Sequence, residues 1–153
     1  MRKDLTSILL FLFAFFIQAC KPKEETKPTG IPEPKIIVQT SQNQIKFSIE
    51  IPKDHHAYLD SGKENSLIPI QFDWKDMIQN QILPKEPRMI AKPLGVYDKE
   101  YEATVLRGQG EFLFELPEGV SENIKGQKVY IKIQICNEVT GICYRPKIYP
   151  VAL

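Results

Sequence analysis

No glycine-rich phosphate loop, no serine-type triad spacing and no Cys-x-x-Cys pair occurs anywhere in this chain. Those absences remove the sequence basis for nucleotide binding, for acyl-transfer chemistry and for a zinc ribbon or helix-borne redox motif. Carboxylates are scattered, with no pair set apart for acid–base work. Charge of one sign is missing too. Setting aside Arg2, Lys3 and Asp4 leaves 18 basic and 18 acidic side chains of the 20 and 19 in the chain. A balance of zero argues against nucleic acid or a broad anionic surface as partner. Cysteine is scarce, at three residues, and histidine scarcer, at two. A long hydrophobic run is also lacking: Ile8 to Ile17 is unbroken but covers half of the roughly 20 residues a spanning helix needs.

That short run has a different use. Arg2 and Lys3 precede it and Ile17-Gln18-Ala19-Cys20 closes it, which is the build of a signal peptide over residues 1–19. The closing tetrapeptide resembles a bacterial lipobox, which implies a lipid on Cys20 and a membrane anchored through it. An ordinary signal cut after Ala19 would leave Cys20 free instead. Three cysteines in an exported chain leave one over, and a lipid on Cys20 accounts for it. The remaining two, Cys136 and Cys143, then face a compartment where disulfides persist. Residues 20–34 follow as a tether. Four prolines fall between Lys21 and Pro34, giving an extended spacer of about 40 Å.

Residues 35–153 read as strand after strand. Ile45, Phe47, Ile49 and Ile51 alternate with polar residues, as do Phe112, Phe114 and Leu116, and Val129, Ile131, Ile133 and Ile135. Period two means a strand with one buried face. Shorter runs at Lys35–Thr40, His56–Asp60, Ile68–Trp74 and Pro87–Ala91 fit the same class, the third placing Ile68, Ile70, Phe72 and Trp74 on one side. Lys75 to Leu83 reads as a helical turn or an irregular bulge. Seven or so short strands without a long helix predict an all-β antiparallel sandwich, with a small barrel as rival.

The last strands form a hairpin whose polar loop lies between Cys136 and Cys143 and contains Gly141. Pro146 and Pro150 make the second strand an edge strand. A disulfide across this loop would remove about 2–3 kcal/mol of unfolded-chain entropy, so a structural staple is sensible. An exchange site is the other reading. Without a helix start to lower a thiol pKa, it would need a partner that presents the attacking thiolate.

Gln134-Ile135-Cys136, six loop residues, then Cys143-Tyr144-Arg145-Pro146 resembles the end of the N-terminal periplasmic domain of the DsbD thiol:disulfide interchange family. Ile51 to Tyr58 and Leu67-Ile68-Pro69-Ile70 extend the resemblance upstream, and it spans Ile36 to Leu153. It implies an immunoglobulin-like sandwich and a relay of electrons from a thioredoxin-like donor, or a membrane electron carrier, to periplasmic disulfide-bearing acceptors. It further implies that Cys143 forms the mixed disulfide and Cys136 resolves it. A cap loop covers the pair in that family. Gly95 to Glu102 corresponds to it here, with Tyr101 as the cap side chain and Tyr97 as second candidate. The domain would stand alone on its lipid, facing the periplasm or the cell exterior, and take its electrons from a separate protein. No cofactor is implied.

His55-His56 raises a third possibility, a copper or zinc site. Adjacent strand residues point to opposite faces, which works against both reaching one metal. A surface or loop-edge pair is the plainer expectation, and no metal ligand is assigned.

Overall fold

A computed structural model describes residues 30–63 and 66–153. The expected signal peptide, the expected lipid site at Cys20 and the expected tether up to residue 29 lie outside the described residues. Among the described residues the chain is all-β, with eleven strands and one short helix.

The first sheet has the order β1 (Lys35–Thr40), β2 (Gln44–Glu50), β8 (Gln109–Glu115), β5 (Arg88–Ala91), all antiparallel. A second sheet runs β10 (Ile135–Asn137), β3 (His55–Tyr58), β7 (Ala103–Leu106), β6 (Val96–Asp98). A third is β11 (Lys147–Ala152), β9 (Lys128–Ile133), β4 (Gln71–Asp73). The second and third sheets are joined by the chain itself. β9 and β10 are separated only by Gln134, where the strand leaves one sheet and enters the other. Together they make the layer opposite the first sheet, an immunoglobulin-like sandwich.

Alternation explains which faces meet. Ile45, Phe47 and Ile49 of β2 and Phe112 and Phe114 of β8 turn inward, against Val129, Ile131 and Ile133 of β9. Phe47 and Phe114 reach across to Phe72 of β4, with ring centroids 5.1 and 4.7 Å apart. Trp74 closes the cluster 5.3 Å from Phe114. Burying each such side chain contributes about 1.5–3 kcal/mol. This cluster holds the two layers together.

The expected strand over Ile68–Trp74 is shorter than the apolar pattern, and only Gln71–Asp73 pairs with β9. Pro69 has no N–H to give a ladder; instead it forms an isolated bridge with Tyr58, and the Ile70 amide donates to the Tyr58 carbonyl at 2.9 Å. The stretch Lys75 to Leu83 resolves into helix α1 (Lys75–Gln79), with Trp74 at its N-cap; just before it the Asp73 carboxylate accepts from the Lys75 amide at 2.9 Å in an Asx-type turn. β11 is an edge strand, as Pro150 within it requires.

Candidate functional site

β10 is also an edge, and it carries the site. Within the chain Cys136 lies opposite Cys143 in an isolated antiparallel bridge, with their Cα atoms 3.9 Å apart and their sulfurs bonded. Two backbone hydrogen bonds flank the pair, from the Asn137 amide to the Ile142 carbonyl at 2.8 Å and from the Tyr144 amide to the Ile135 carbonyl at 2.9 Å. Gln134 adds a third tie, its side-chain amide donating to the Tyr144 carbonyl at 3.2 Å. The glutamine two residues before the first cysteine thus clamps the two segments together where β9 hands over to β10.

The inter-cysteine loop is built rather than slack. Asn137 accepts the amides of Val139 and Thr140 on its side-chain oxygen, at 2.9 and 2.8 Å, and the Gly141 amide on its carbonyl at 2.9 Å. Gly141 takes φ +68°, a left-handed turn that a side chain would oppose. The result is unequal access to the two cysteines. Cys136 is 1% exposed, packed with Tyr58, Ala103 and Val105, whereas Cys143 is exposed.

Three aromatic rings lie beside the pair. Tyr58 is buried and its hydroxyl stands 3.6 Å from the Cys136 sulfur and 3.8 Å from the Cys143 sulfur, so one phenol reaches both. Burial, helped by neighbouring Tyr101, Asp98 and Glu100, pushes its pKa up to about 12, which keeps it a hydrogen-bond donor. His56 sits 5.1 Å from the Tyr58 ring and 5.5 Å from the Tyr101 ring. Tyr101 is half-buried on the turn between β6 and β7 and lies 5.9 Å from Tyr58. Tyr97, the second cap candidate, is 61% exposed on β6 and does not join the cluster.

An ion network crosses the same region. Arg107, just after β7, donates to Asp98 of β6 at 2.8 Å and to Glu138 of the inter-cysteine loop. Burial alone would raise the Asp98 carboxyl, but hydrogen bonds from Arg107 and from the Glu100 and Tyr101 amides outweigh it and hold the group below its ordinary value. Glu138 in turn lies 3.3 Å from Nδ1 of His56, within ion-pair reach but without hydrogen-bond alignment, so both ring nitrogens of this buried imidazole lack a hydrogen-bond partner.

The surface or loop-edge reading of the histidine pair is therefore corrected for His56, which is 1% exposed. β3 lies between β10 and β7, and the His56 ring is covered by the rings of Tyr58 and Tyr101. His55 does lie at the edge, its Nδ1 2.7 Å from the Lys53 carbonyl and its Nε2 3.1 Å from the Asn137 side-chain amide. Among the described residues no group of three His, Cys, Asp or Glu side chains converges as a metal site. Arg107 is not singled out by the sequence; Tyr58 enters it only as the last residue of the Ile51 to Tyr58 stretch, and Glu138 only as a residue of the cysteine loop, neither with a role.

Fold and site together define the class: an immunoglobulin-like sandwich with a disulfide on an edge strand, one cysteine buried and one exposed. A solved structure has this fold, the N-terminal domain of DsbD from Neisseria meningitidis in its reduced form. It is similar to this chain with a TM-score of 0.50 and 17% identity, over 78% of this chain and 85% of that one. At that identity the likeness speaks for the fold. No protein-family model matches the chain, and no curated protein is significantly similar to it.

Proposed function

We propose that this chain is a cell-envelope lipoprotein whose sandwich domain passes electrons by thiol–disulfide exchange through Cys136 and Cys143. The observation that carries the reading is the unequal exposure of the bonded pair. Exchange proceeds by in-line attack of a thiolate on one sulfur, and access decides which. Cys143 is the sulfur that forms the mixed disulfide, and Cys136 is the resolving thiol. Tyr101 acts as a lid over the pair. The donor is a thioredoxin-like protein or membrane electron carrier, and the acceptors are proteins with reducible disulfides. A lipid on Cys20 and the tether to residue 34 keep the domain at a membrane, facing the periplasm or the exterior.

The rival is a partner-binding sandwich with the disulfide as a staple. Exposed Leu94, two residues before the edge strand β6, and exposed Val96 and Tyr97 on it, at 95, 54 and 61% exposure, are the observation that favours it. Redox equilibration against dithiothreitol and glutathione buffers, with alkylation of free thiols, separates the two. The exchange reading expects a potential above the roughly −300 mV below which structural disulfides lie, and a reduced domain that stays folded. A potential below that limit, with unfolding on reduction, supports the staple.

A further inference from the structure

Thiol exchange through Cys143 gives no use to the buried imidazole of His56, which is paired in register with Cys136. Strand register pairs His56 of β3 with Cys136 of β10, and the isolated bridge pairs Cys136 with Cys143. Directly opposed residues share a face with Cβ atoms about 4.5–5.5 Å apart. His56, Cys136 and Cys143 therefore form one row across three adjacent segments, with the imidazole on the same face of the sheet as the buried cysteine.

Resting on the exchange reading, we propose that His56 is the general base that deprotonates Cys136 in the resolving step, with Glu138 within ion-pair reach of the imidazolium so formed. The need for such a base follows from burial. Cys136 is packed among Tyr58, Ala103 and Val105, surroundings that favour the thiol over the thiolate once the disulfide opens. Only the thiolate resolves a mixed disulfide.

The surroundings of His56 suit this role. Both ring nitrogens of the buried imidazole lack a hydrogen-bond partner, and an unpaired buried polar group in a native fold calls for an explanation, of which a catalytic role is one. The charged groups around it are Glu138 of the cysteine loop and Asp98 of β6, both acidic, and Arg107 after β7. Tyr58 and Tyr101 are protonated phenols, both held above their ordinary values chiefly by burial. Burial foremost, with Arg107 acting in the same sense, keeps the imidazole below its ordinary pKa against the pull of Glu138 and Asp98. At neutral pH it is free to accept a proton. Glu138 at Nδ1 is then placed as the third member of a Cys–His–carboxylate series.

Atoms and electrons balance in this step. With Cys143 bonded to an acceptor sulfur, His56 takes the proton of the Cys136 thiol. The thiolate attacks the Cys143 sulfur, the Cys136–Cys143 bond forms and the Cys143–acceptor bond breaks. The acceptor leaves with the electron pair as a thiolate and is reduced, and the imidazolium returns its proton to the leaving thiolate or to water.

Dithiobis(nitrobenzoate) isolates this step, because each displaced nitrothiobenzoate is coloured. In the reduced full chain carrying Cys20→Ser, attack by Cys143 releases the first equivalent and resolution by Cys136 the second. His56→Gln should leave the first phase within about twofold and slow the second about 10²-fold at neutral pH. The deficit should narrow only at pH well above the ordinary thiol value of about 8.5, where the buried Cys136 begins to ionise unaided. Glu138→Gln, a change on an exposed loop, should slow the second phase severalfold and move the imidazole-governed midpoint of its pH profile downward, because Glu138 raises the His56 pKa. A second phase in His56→Gln with unchanged rate and pH profile overturns the proposal. If that variant does not fold, an unchanged profile in Glu138→Gln does so. Absence of any first phase in the parent chain removes the exchange reading itself, a different failure.

Discussion

Cys143 is exposed while Cys136, the residue it is bonded to, is 1% exposed. The difference arises from where each stands. Cys136 is on β10, with β3 along one side and Tyr58, Ala103 and Val105 packed over it. Cys143 follows the Gly141 turn, beyond the last ladder of the sheet. One sulfur is placed to be attacked and the other to leave and return.

Arg107 joins the cap-side strand β6 to the cysteine loop through Asp98 and Glu138. Its side chain is 37% exposed, so screening limits its worth. Arg107→Ala is expected to lower stability by about 1 kcal/mol, less in high salt. Arg107→Lys should recover only part of this, since an ammonium cannot reproduce the forked contact to two carboxylates. Urea midpoints at low and high ionic strength measure both. Because Asp98 is held below its ordinary pKa, its contribution is present above the unfolded value of about 3.9 and is lost as pH falls through the lower folded one.

Gly95 precedes β6 with φ +66°, and a Cβ there would come within 2.7 Å of the Val105 carbonyl and 2.6 Å of a Leu59 methyl. Gly141 has a similar φ of +68° but open space around it. Gly95→Ala should cost on the order of 2–4 kcal/mol, combining left-handed strain with overpacking, and Gly141→Ala about 1–2 kcal/mol from strain alone. Comparison of their urea midpoints with the disulfide intact checks the difference. Equal losses would mean that backbone conformation, not packing against β7, decides at Gly95.

His56 makes the oxidised fold acid-sensitive. Its pKa is lowered by burial, with Arg107 acting in the same sense, so the unfolded chain binds a proton more readily than the folded one. Stability should be complete above the unfolded value of about 6.5 and decline as pH falls from there toward the lower folded value. His56→Phe should flatten this part of the profile. Denaturation between about pH 7.5 and 5.5 reads it directly, and an unchanged slope in the variant would show that other groups carry the sensitivity.

The layers of the sandwich were legible because β2, β8 and β9 alternate without interruption, so Ile45, Phe47, Phe112, Phe114 and Ile131 declare their inner face. β6 and β7 were not. They are three and four residues long, too short for periodicity to speak, and fell within or beside the expected cap loop. The break at Gln134 was hidden for another reason: Val129 to Ile135 keeps strict alternation through the change of sheet. The disulfide pair could be read from spacing. The neighbours of that pair could not, because His56 and Tyr58 reach it through pairing between segments about 80 positions apart, and register is a property of the assembled sheet. His56 looked like half of a surface doublet for as long as β3 had no neighbours.

The most direct measurement is a trapping comparison. Cys136→Ala and Cys143→Ala, each with Cys20→Ser, are mixed with a thioredoxin-fold protein that lacks its resolving cysteine and is activated as an aromatic mixed disulfide. Unequal access predicts a stable covalent complex with Cys136→Ala, through Cys143, and none with Cys143→Ala, whose remaining sulfur is buried. Capture by neither variant, or equal capture by both, would contradict it.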